Sequence, residues 1–346
     1  MNKARRLRIS FYYRKKALCD IIKETICERT KIMGRIISII NQKGGVGKTT
    51  TAVNLAAFLA DKGYKTLLVD ADSQGNATSG ISKHVKMNAN LYEVLMGDKT
   101  VGEAIVKTDI KRLSLLPASI DLAGAEIEMV SMENREFLMK QKLDAVKEDY
   151  DFILIDCPPS LGLMTLNTLV ASRSVLIPIQ AEFYALEGLS QLIRTISQVT
   201  RKLNPGLSVL GILLTMFDGR TNLSLQVAEE VKKYFGTKVF KTVIPRSVKL
   251  SEAPSFGESI LSYVPRSKGS VCFRSSGVGS VCDYGLWEKE RLRKLDRAGN
   301  HRCTDCIDEI FREIFGKLKR LICPHVRHHE KNTQNVKTRI HSKKDI

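Results

Sequence analysis

The segment KGGVGKTT combines lysines, glycines and hydroxyl side chains within eight residues. Gly44, Gly45 and Gly47 allow the backbone to curl so that its N–H groups face an anion. Lys48 would then reach the β- and γ-phosphates of a nucleotide, and the Thr49 hydroxyl would be offered to Mg²⁺. The spacing therefore predicts a phosphate-binding P-loop. Its expected nucleotide contacts are Lys43, Gly44, Gly45, Val46, Gly47, Lys48, Thr49 and Thr50.

Two acidic residues follow apolar runs elsewhere in the chain. Asp156 closes FILID, the position at which P-loop enzymes hold Mg²⁺ directly or through water. Asp72 follows LLVDA and is predicted to orient the attacking water. Of the two acids in DAD, Asp72 rather than Asp70 is assigned this role. Beside a P-loop, these positions predict hydrolysis, with Lys48 and Asp72 as catalytic groups and Thr49 and Asp156 as metal ligands.

The segments that must position these residues alternate between strand and helix from Arg35 onwards. Short apolar runs recur as RIISII, KTLLVDAD, LSLLPAS, YDFILIDCPP, SVLIPIQ, LSVLGILLTM and KVFKTVIP. Polar loops and helix-length segments separate them, and Gly63 suits the end of the first helix. This pattern predicts the α/β fold of a P-loop NTPase, a mostly parallel twisted sheet with helices on both faces. Ligands of such sheets bind beyond the carboxyl ends of the strands.

Composition divides the chain into three parts. Residues 1–32 carry ten Lys and Arg against three Asp and Glu, and residues 269–346 carry seventeen against ten. Each end is therefore +7, so the overall +18 leaves only +4 for residues 33–268. The sequence contains no run of eighteen apolar residues and no secretory signal, so a cytoplasmic location is expected.

Six segments of the central part resemble the ParA/Soj chromosome- and plasmid-partition ATPases. They are KGGVGKTT, LLVDADSQGNATSG, FILIDCPPSLG, EFYALEGLSQL, LLTMFDGRTNL and VIPRSVKLSEAPSFGESI. The resemblance runs from Met33 to about Lys268, and LAGAEIEM and IPRSVKLSEAP favour the chromosomal Soj branch over the related MinD. It implies a Mg-ATP-dependent homodimer that binds DNA without sequence preference. A ParB-like centromere-binding partner would stimulate ATP hydrolysis and release the dimer.

The resemblance also implies roles for residues of the nucleotide site. Lys43 matches the family's signature lysine, which reaches the nucleotide of the opposite subunit, and joins Lys48 and Asp72 in the catalytic set. Pro245 and Ser247 match positions that contact adenine, although many family members have Asn at the latter.

DNA contacts are carried over in the same way. The family's DNA-binding basic residues map onto Arg220 and Lys249, with Arg246 nearby. Such contacts would be made to phosphates, so the affinity would fall with salt. The protein is therefore expected on the nucleoid, with no membrane contact.

The two ends depart from the family. Residues 1–32 form a basic N-terminal extension, interpreted as disordered or as an over-extended start. After residue 268 the family continues with a helix of the pattern A-x-x-Y-x-x-L-A-x-E-V, which this chain lacks. A frameshift near Gly269 or a recombined end would explain the difference. The basic tail 269–346 carries Cys and His residues.

Two features of this tail leave alternatives open. A helix predicted over residues 307–322 has one apolar face, which favours a MinD-like ATPase that cycles on membranes. Five residues have the types and approximate spacing of a zinc site, which favours a zinc- and nucleic-acid-binding tail on a degenerate ATPase. These residues are Cys303, Cys306, Cys323, His325 and His328.

Overall fold

The computed structural model describes residues 34–82, 85–182 and 185–264. The predictions for the extension 1–32 and the tail 269–346, including the amphipathic helix 307–322 and the zinc spacing, lie outside the described residues. Within the described ranges, no helix combines the length and apolar character that crossing a membrane requires.

Strands and helices alternate along the described chain. The strands are β1 (Arg35–Ile39), β2 (Thr66–Asp70), β3 (Val106–Lys107), β4 (Leu113–Leu116), β5 (Phe152–Asp156), β6 (Ser174–Gln180), β7 (Ser208–Phe217) and β8 (Val239–Pro245). The helices are α1 (Lys48–Asp61), α2 (Asn76–Ser79), α3 (Leu91–Met96), α4 (Val101–Ala104), α5 (Leu122–Glu128), α6 (Leu138–Asp144), α7 (Leu163–Ala171), α8 (Ala185–Lys202), α9 (Asn222–Phe235), α10 (Val248–Glu252) and α11 (Ile260–Tyr263).

The strands form one eight-stranded sheet in the order β3-β4-β2-β5-β1-β6-β7-β8. Neighbouring strands are parallel, except that the short edge strand β3 is antiparallel to β4. The predicted mostly parallel sheet is thus confirmed. The register of β2 and β5 sets Asp70 opposite Asp156, so these two acids end adjacent strands at the same edge.

The core lies on both faces of the sheet because successive residues of a strand point in opposite directions. Ile36 and Ile40 belong to one apolar cluster, whereas Ile37 and Ile39 belong to the other. Helix α8 packs on the first face through Leu189, Leu192, Ile196 and Val199, and α1 packs on the second through Val53, Leu55, Phe58 and Leu59. Helices therefore cover both faces, as predicted.

Helix α1 ends as its sequence predicts. Its last turn is closed by the Gly63 N–H donating to the Ala60 carbonyl at 2.9 Å and the Tyr64 N–H donating to the Leu59 carbonyl at 3.1 Å. Gly63 has a φ of +97°, a left-handed conformation that glycine adopts without steric cost. This Schellman motif directs the chain from α1 into β2.

Candidate nucleotide-binding site

The predicted P-loop connects β1 to the N-terminus of α1. Gly45 and Gly47 have φ values of +72° and +85°, which require the conformational freedom of glycine. A Cβ built on Gly44 or Gly45 would meet nothing within 4 Å, so the loop faces open space. The first turn of α1 has neither an acidic residue nor a side-chain cap. Its N–H groups and positive dipole end are therefore available to an anion.

Two side chains, at the ends of β7 and β1, connect this loop to the backbone at the end of β6. The Thr215 hydroxyl lies 2.7 Å from the Val46 carbonyl oxygen and 3.0 Å from that of Ile179. Asn41 donates through Nδ2 to the Pro178 carbonyl at 2.8 Å and accepts from the Lys43 N–H at 3.0 Å. The sequence analysis missed both supports. The sequence did contain a hint of each support, since Asn41 lies just before the glycine motif and Thr215 lies inside the apolar run LLTM.

The two lysines of the loop occupy different environments. Lys48 is 6% exposed, and its Nζ donates to the Lys43 carbonyl at 3.1 Å. Burial lowers the pKa of Lys48, while the charges of Asp156 and Asp72 act in the opposite direction. Lys43 is exposed and its ammonium forms an ion pair with Glu182. Lys48 therefore lies beside the two predicted acids, whereas Lys43 lies at the rim.

Asp156 has the environment of a cation ligand. Both carboxylate oxygens are buried, and within the described part of the chain neither has a hydrogen-bond partner. Burial, followed by the charge of Asp70, raises the pKa of Asp156, while the nearby Thr49 hydroxyl lowers it. A buried carboxylate beside a hydroxyl fits Mg²⁺, which prefers oxygen ligands and keeps several waters or substrate phosphates. No group of three or more His, Cys, Asp or Glu in the described ranges is arranged to hold a metal.

The acids of the DAD segment differ from Asp156 and from each other. Asp70 is fully buried and accepts hydrogen bonds from Thr78 and from the Asp72 N–H. Burial raises the pKa of Asp70 to about 6, although the hydrogen bonds from Thr78 and Asp72 act to lower it. Asp72 is 7% exposed and accepts from the Gln74 N–H at 3.0 Å. Asp72 and Asp156 thus keep oxygens for a ligand, whereas both oxygens of Asp70 are engaged within the protein.

The predicted adenine contacts lie where β8 leads into α10. Pro245 ends β8 and Ser247 precedes the first residue of α10, and both are half-buried. Between them, the Arg246 N–H donates to the Phe217 carbonyl at 3.3 Å, which joins this turn to the end of β7. The turn therefore lies at the edge of the sheet where parallel strands end.

The predicted DNA-contacting residues are exposed and have acidic neighbours that the sequence analysis did not consider. Arg220 forms two bonds of 2.9 Å to the carboxylate of Asp218, and these bonds lower the pKa of Asp218 to about 2. Lys249 lies 2.8 Å from Glu252. Arg220 remains 76% exposed, so its outer edge faces solvent.

Comparisons with known proteins agree with this geometry. The model of the AAA domain family matches residues 34–209. The chain is 58% identical to the sporulation initiation inhibitor protein Soj of Bacillus subtilis, over 70% of this chain and 96% of the relative. It is 54% identical to the chromosome partitioning protein ParA of Myxococcus xanthus, over 71% of this chain and 87% of the relative.

Solved structures extend the comparison to a bound nucleotide. Cobyrinic acid a,c-diamide synthase of Mycobacterium smegmatis, solved with an ATP analogue and magnesium, is 39% identical and superimposes with a TM-score of 0.59. The match covers 71% of this chain and 97% of that protein.

Proposed function

We propose that this chain, which belongs to the ParA/Soj family of chromosome-partitioning ATPases, binds Mg-ATP at its P-loop, dimerises on it and binds DNA as the dimer. One observation carries the proposal. At the base of an open glycine loop lie a buried lysine and a buried carboxylate that accepts no hydrogen bond from residues 34–82, 85–182 and 185–264, and an exposed second lysine lies at its rim. A protein that only bound a phosphate would not need the unpartnered carboxylate, which costs stability until a cation balances it.

Each residue has a definite task in hydrolysis. The N–H groups of residues 44–50 and the ammonium of Lys48 hold the phosphates. Thr49 and Asp156 hold Mg²⁺, which when bound neutralises charge on the phosphates. Asp72 orients the attacking water. Catalysis then arises from positioning and charge stabilisation, with no covalent intermediate on the protein.

Dimerisation accounts for the second lysine. The ammonium of Lys43 is at the rim of the loop rather than beside Asp156, so the nucleotide of a second subunit is within its reach when two loops face each other. The ion pair with Glu182 is exposed on both sides. Exposed pairs contribute about 0–1 kcal/mol, so a phosphate can replace Glu182 at little cost. Pro245 and Ser247 are proposed to contact the adenine.

DNA binding is proposed for the face that carries Arg220, Arg246 and Lys249. Residues 33–268 have little net charge, so attraction to DNA must come from a local cluster rather than from the whole domain. The dimer doubles this cluster. The acidic partners of Arg220 and Lys249 reduce the positive electrostatic potential of this face in a single protomer. Because a dimer presents two such faces, DNA binding should depend on dimerisation. If the ATP-bound dimer binds DNA, the protein is located on the nucleoid, and a ParB-like centromere-binding partner that stimulates hydrolysis releases it.

Removing a phosphate contact should change the salt dependence of DNA binding. Arg220→Ala and Lys249→Ala each remove two contacts from a dimer. Each should therefore make the negative slope of log affinity against log salt concentration shallower by about 1.8 units. The measurement is co-sedimentation with DNA in ATP at several salt concentrations. Lys140→Ala is the matched control for Lys249→Ala, because Lys140 is also accessible to solvent and paired with an acid on its own helix.

Two results would contradict this proposal. An equal loss of affinity in Lys140→Ala would show that charge, rather than this face, determines binding. Sedimentation of the ATP-bound protein with anionic vesicles but not with DNA would favour the membrane-cycling alternative.

A further inference from the structure

We propose that Asp70 and Thr78 are positioning residues for ATP hydrolysis, because together they hold the loop that carries Asp72. One oxygen of Asp70 accepts from the Asp72 N–H at 3.2 Å. The other accepts from the N–H and from the hydroxyl of Thr78, each at 2.7 Å. A single carboxylate thus fixes both ends of the segment 72–78.

The loop between these two ends is a tight turn. The Asp72 carboxylate accepts from the Gln74 N–H at 3.0 Å, and the Asp72 carbonyl accepts from the Gly75 N–H at 2.9 Å. The orientation of the Asp72 carboxylate therefore follows from where the ends of the turn are held. Asp70 is fully buried and Thr78 is 6% exposed, so water has little access to replace these hydrogen bonds.

Thr78 also connects this loop to the segment that follows β4. Its hydroxyl donates to Asp70 and accepts from the Ala118 N–H at 3.0 Å. A cleft of about 460 Å³, lined by Gln74, Thr78 and Ser119 among others, opens beside the turn. Because the turn borders this open space, packing on that side does not fix it, and its position depends on the hydrogen bonds of Thr78.

The consequence concerns kcat rather than ATP binding. A displacement of about 1 Å in a positioned group can reduce turnover on the order of 100-fold. Neither Asp70 nor Thr78 belongs to the P-loop, and both oxygens of Asp70 are engaged within the protein. Their loss should therefore leave the nucleotide affinity nearly unchanged. This inference rests on the proposed role of Asp72 in orienting water.

The test compares Thr78→Val, which keeps the shape but removes the hydroxyl, with Thr78→Ser, which restores it. Thr78→Val should lower kcat about 10- to 100-fold per nucleotide-binding site, with the ATP Kd changed less than about threefold. Thr78→Ser should recover kcat to within about threefold. Thr66→Val is the matched control, because Thr66 is a fully buried threonine at the other end of β2 and should keep full kcat. Thr78→Ala replaces Thr78→Val if the latter folds poorly.

The outcomes separate this inference from the function on which it rests. Hydrolysis at the parental rate in Asp72→Ala would overturn the role of Asp72 itself. If Asp72→Ala is inactive while Thr78→Val keeps its kcat per site and loses only thermal stability, Asp70 and Thr78 are structural and the inference is wrong. A parallel loss of kcat in Thr66→Val would also overturn it.

Discussion

Asp156→Asn is expected to abolish Mg²⁺-dependent ATP hydrolysis while raising the melting temperature of the nucleotide-free protein. The substitution keeps the shape of the side chain but removes a buried charge that has no hydrogen-bond partner in the described part of the chain. Removing the charge should stabilise the fold by about 1–3 kcal/mol, because an unpaired buried charge costs more than a neutral amide in the same place. In a domain of this size each kcal/mol shifts the melting temperature by about 2–4 °C. Hydrolysis should fall at least about 100-fold, because a metal ion supplies several kcal/mol of transition-state stabilisation.

The stability gain should depend on pH. Burial raises the pKa of Asp156, so the folded protein binds this proton more tightly than the unfolded chain, in which the pKa is about 4. The contribution of Asp156 to the stability of the parent protein is therefore most favourable below pH about 4 and is lost as pH rises through the folded pKa. Asp156→Asn lacks this contribution, so its advantage should grow with pH. Melting curves at several pH values, with and without Mg-ATP, measure the effect.

Asp70→Asn is the matched control, because Asp70 is an equally buried carboxylate at the end of the adjacent strand. Its oxygens accept from Thr78 and Asp72, so Asp70→Asn should lower the melting temperature rather than raise it. A lower melting temperature for Asp156→Asn, or hydrolysis at the parental rate, would contradict the assignment of Asp156 as a metal ligand.

The features that the sequence predicted are local ones. The P-loop glycines, the strand endings at Asp70 and Asp156 and the C-terminal turn of α1 each depend on a few consecutive residues. Backbone conformation at glycines and the two-faced burial of parallel strands leave a direct signal in such short windows. The alternation of strands and helices predicted the fold class. The fold class in turn predicted that the site lies at the edge where the parallel strands end.

The features that the sequence did not predict depend on contacts between distant residues. Thr215 reaches Val46 across 169 positions, and Glu182 reaches Lys43 across 139. The environments of Asp70 and Asp156 differ because of the register of β2 and β5 and because Thr78 folds back to hydrogen-bond Asp70. The sequence pattern of apolar and polar residues reveals neither feature. The edge strand β3 was not predicted, because two residues are too few to show a strand period.

Lys48→Ala and Lys43→Ala should fail at different steps although the two lysines share one loop. Lys48 is buried beside the acids, so its loss should weaken ATP binding itself, by at least about 10-fold. Lys43 is exposed and paired with Glu182, so Lys43→Ala should bind ATP within a few-fold of the parent protein. It should nevertheless fail to dimerise productively and should lose hydrolysis about 100-fold or more, as expected of a cation supplied in trans. Nucleotide titration, sedimentation velocity with ATP and turnover measure the three steps.

Mixing two inactive variants distinguishes action on the neighbour from action within one subunit. Lys43→Ala keeps its own Asp72, and Asp72→Ala keeps its own Lys43. If Lys43 acts on the opposite nucleotide, the mixed dimer contains one complete site and regains a substantial part of one site's turnover. If Lys43 acts within its own subunit, both sites of the mixed dimer are incomplete and the mixture stays inactive. Inactivity of the mixture, with mixed dimers shown to form, would therefore overturn the assignment of Lys43 to the partner's ATP.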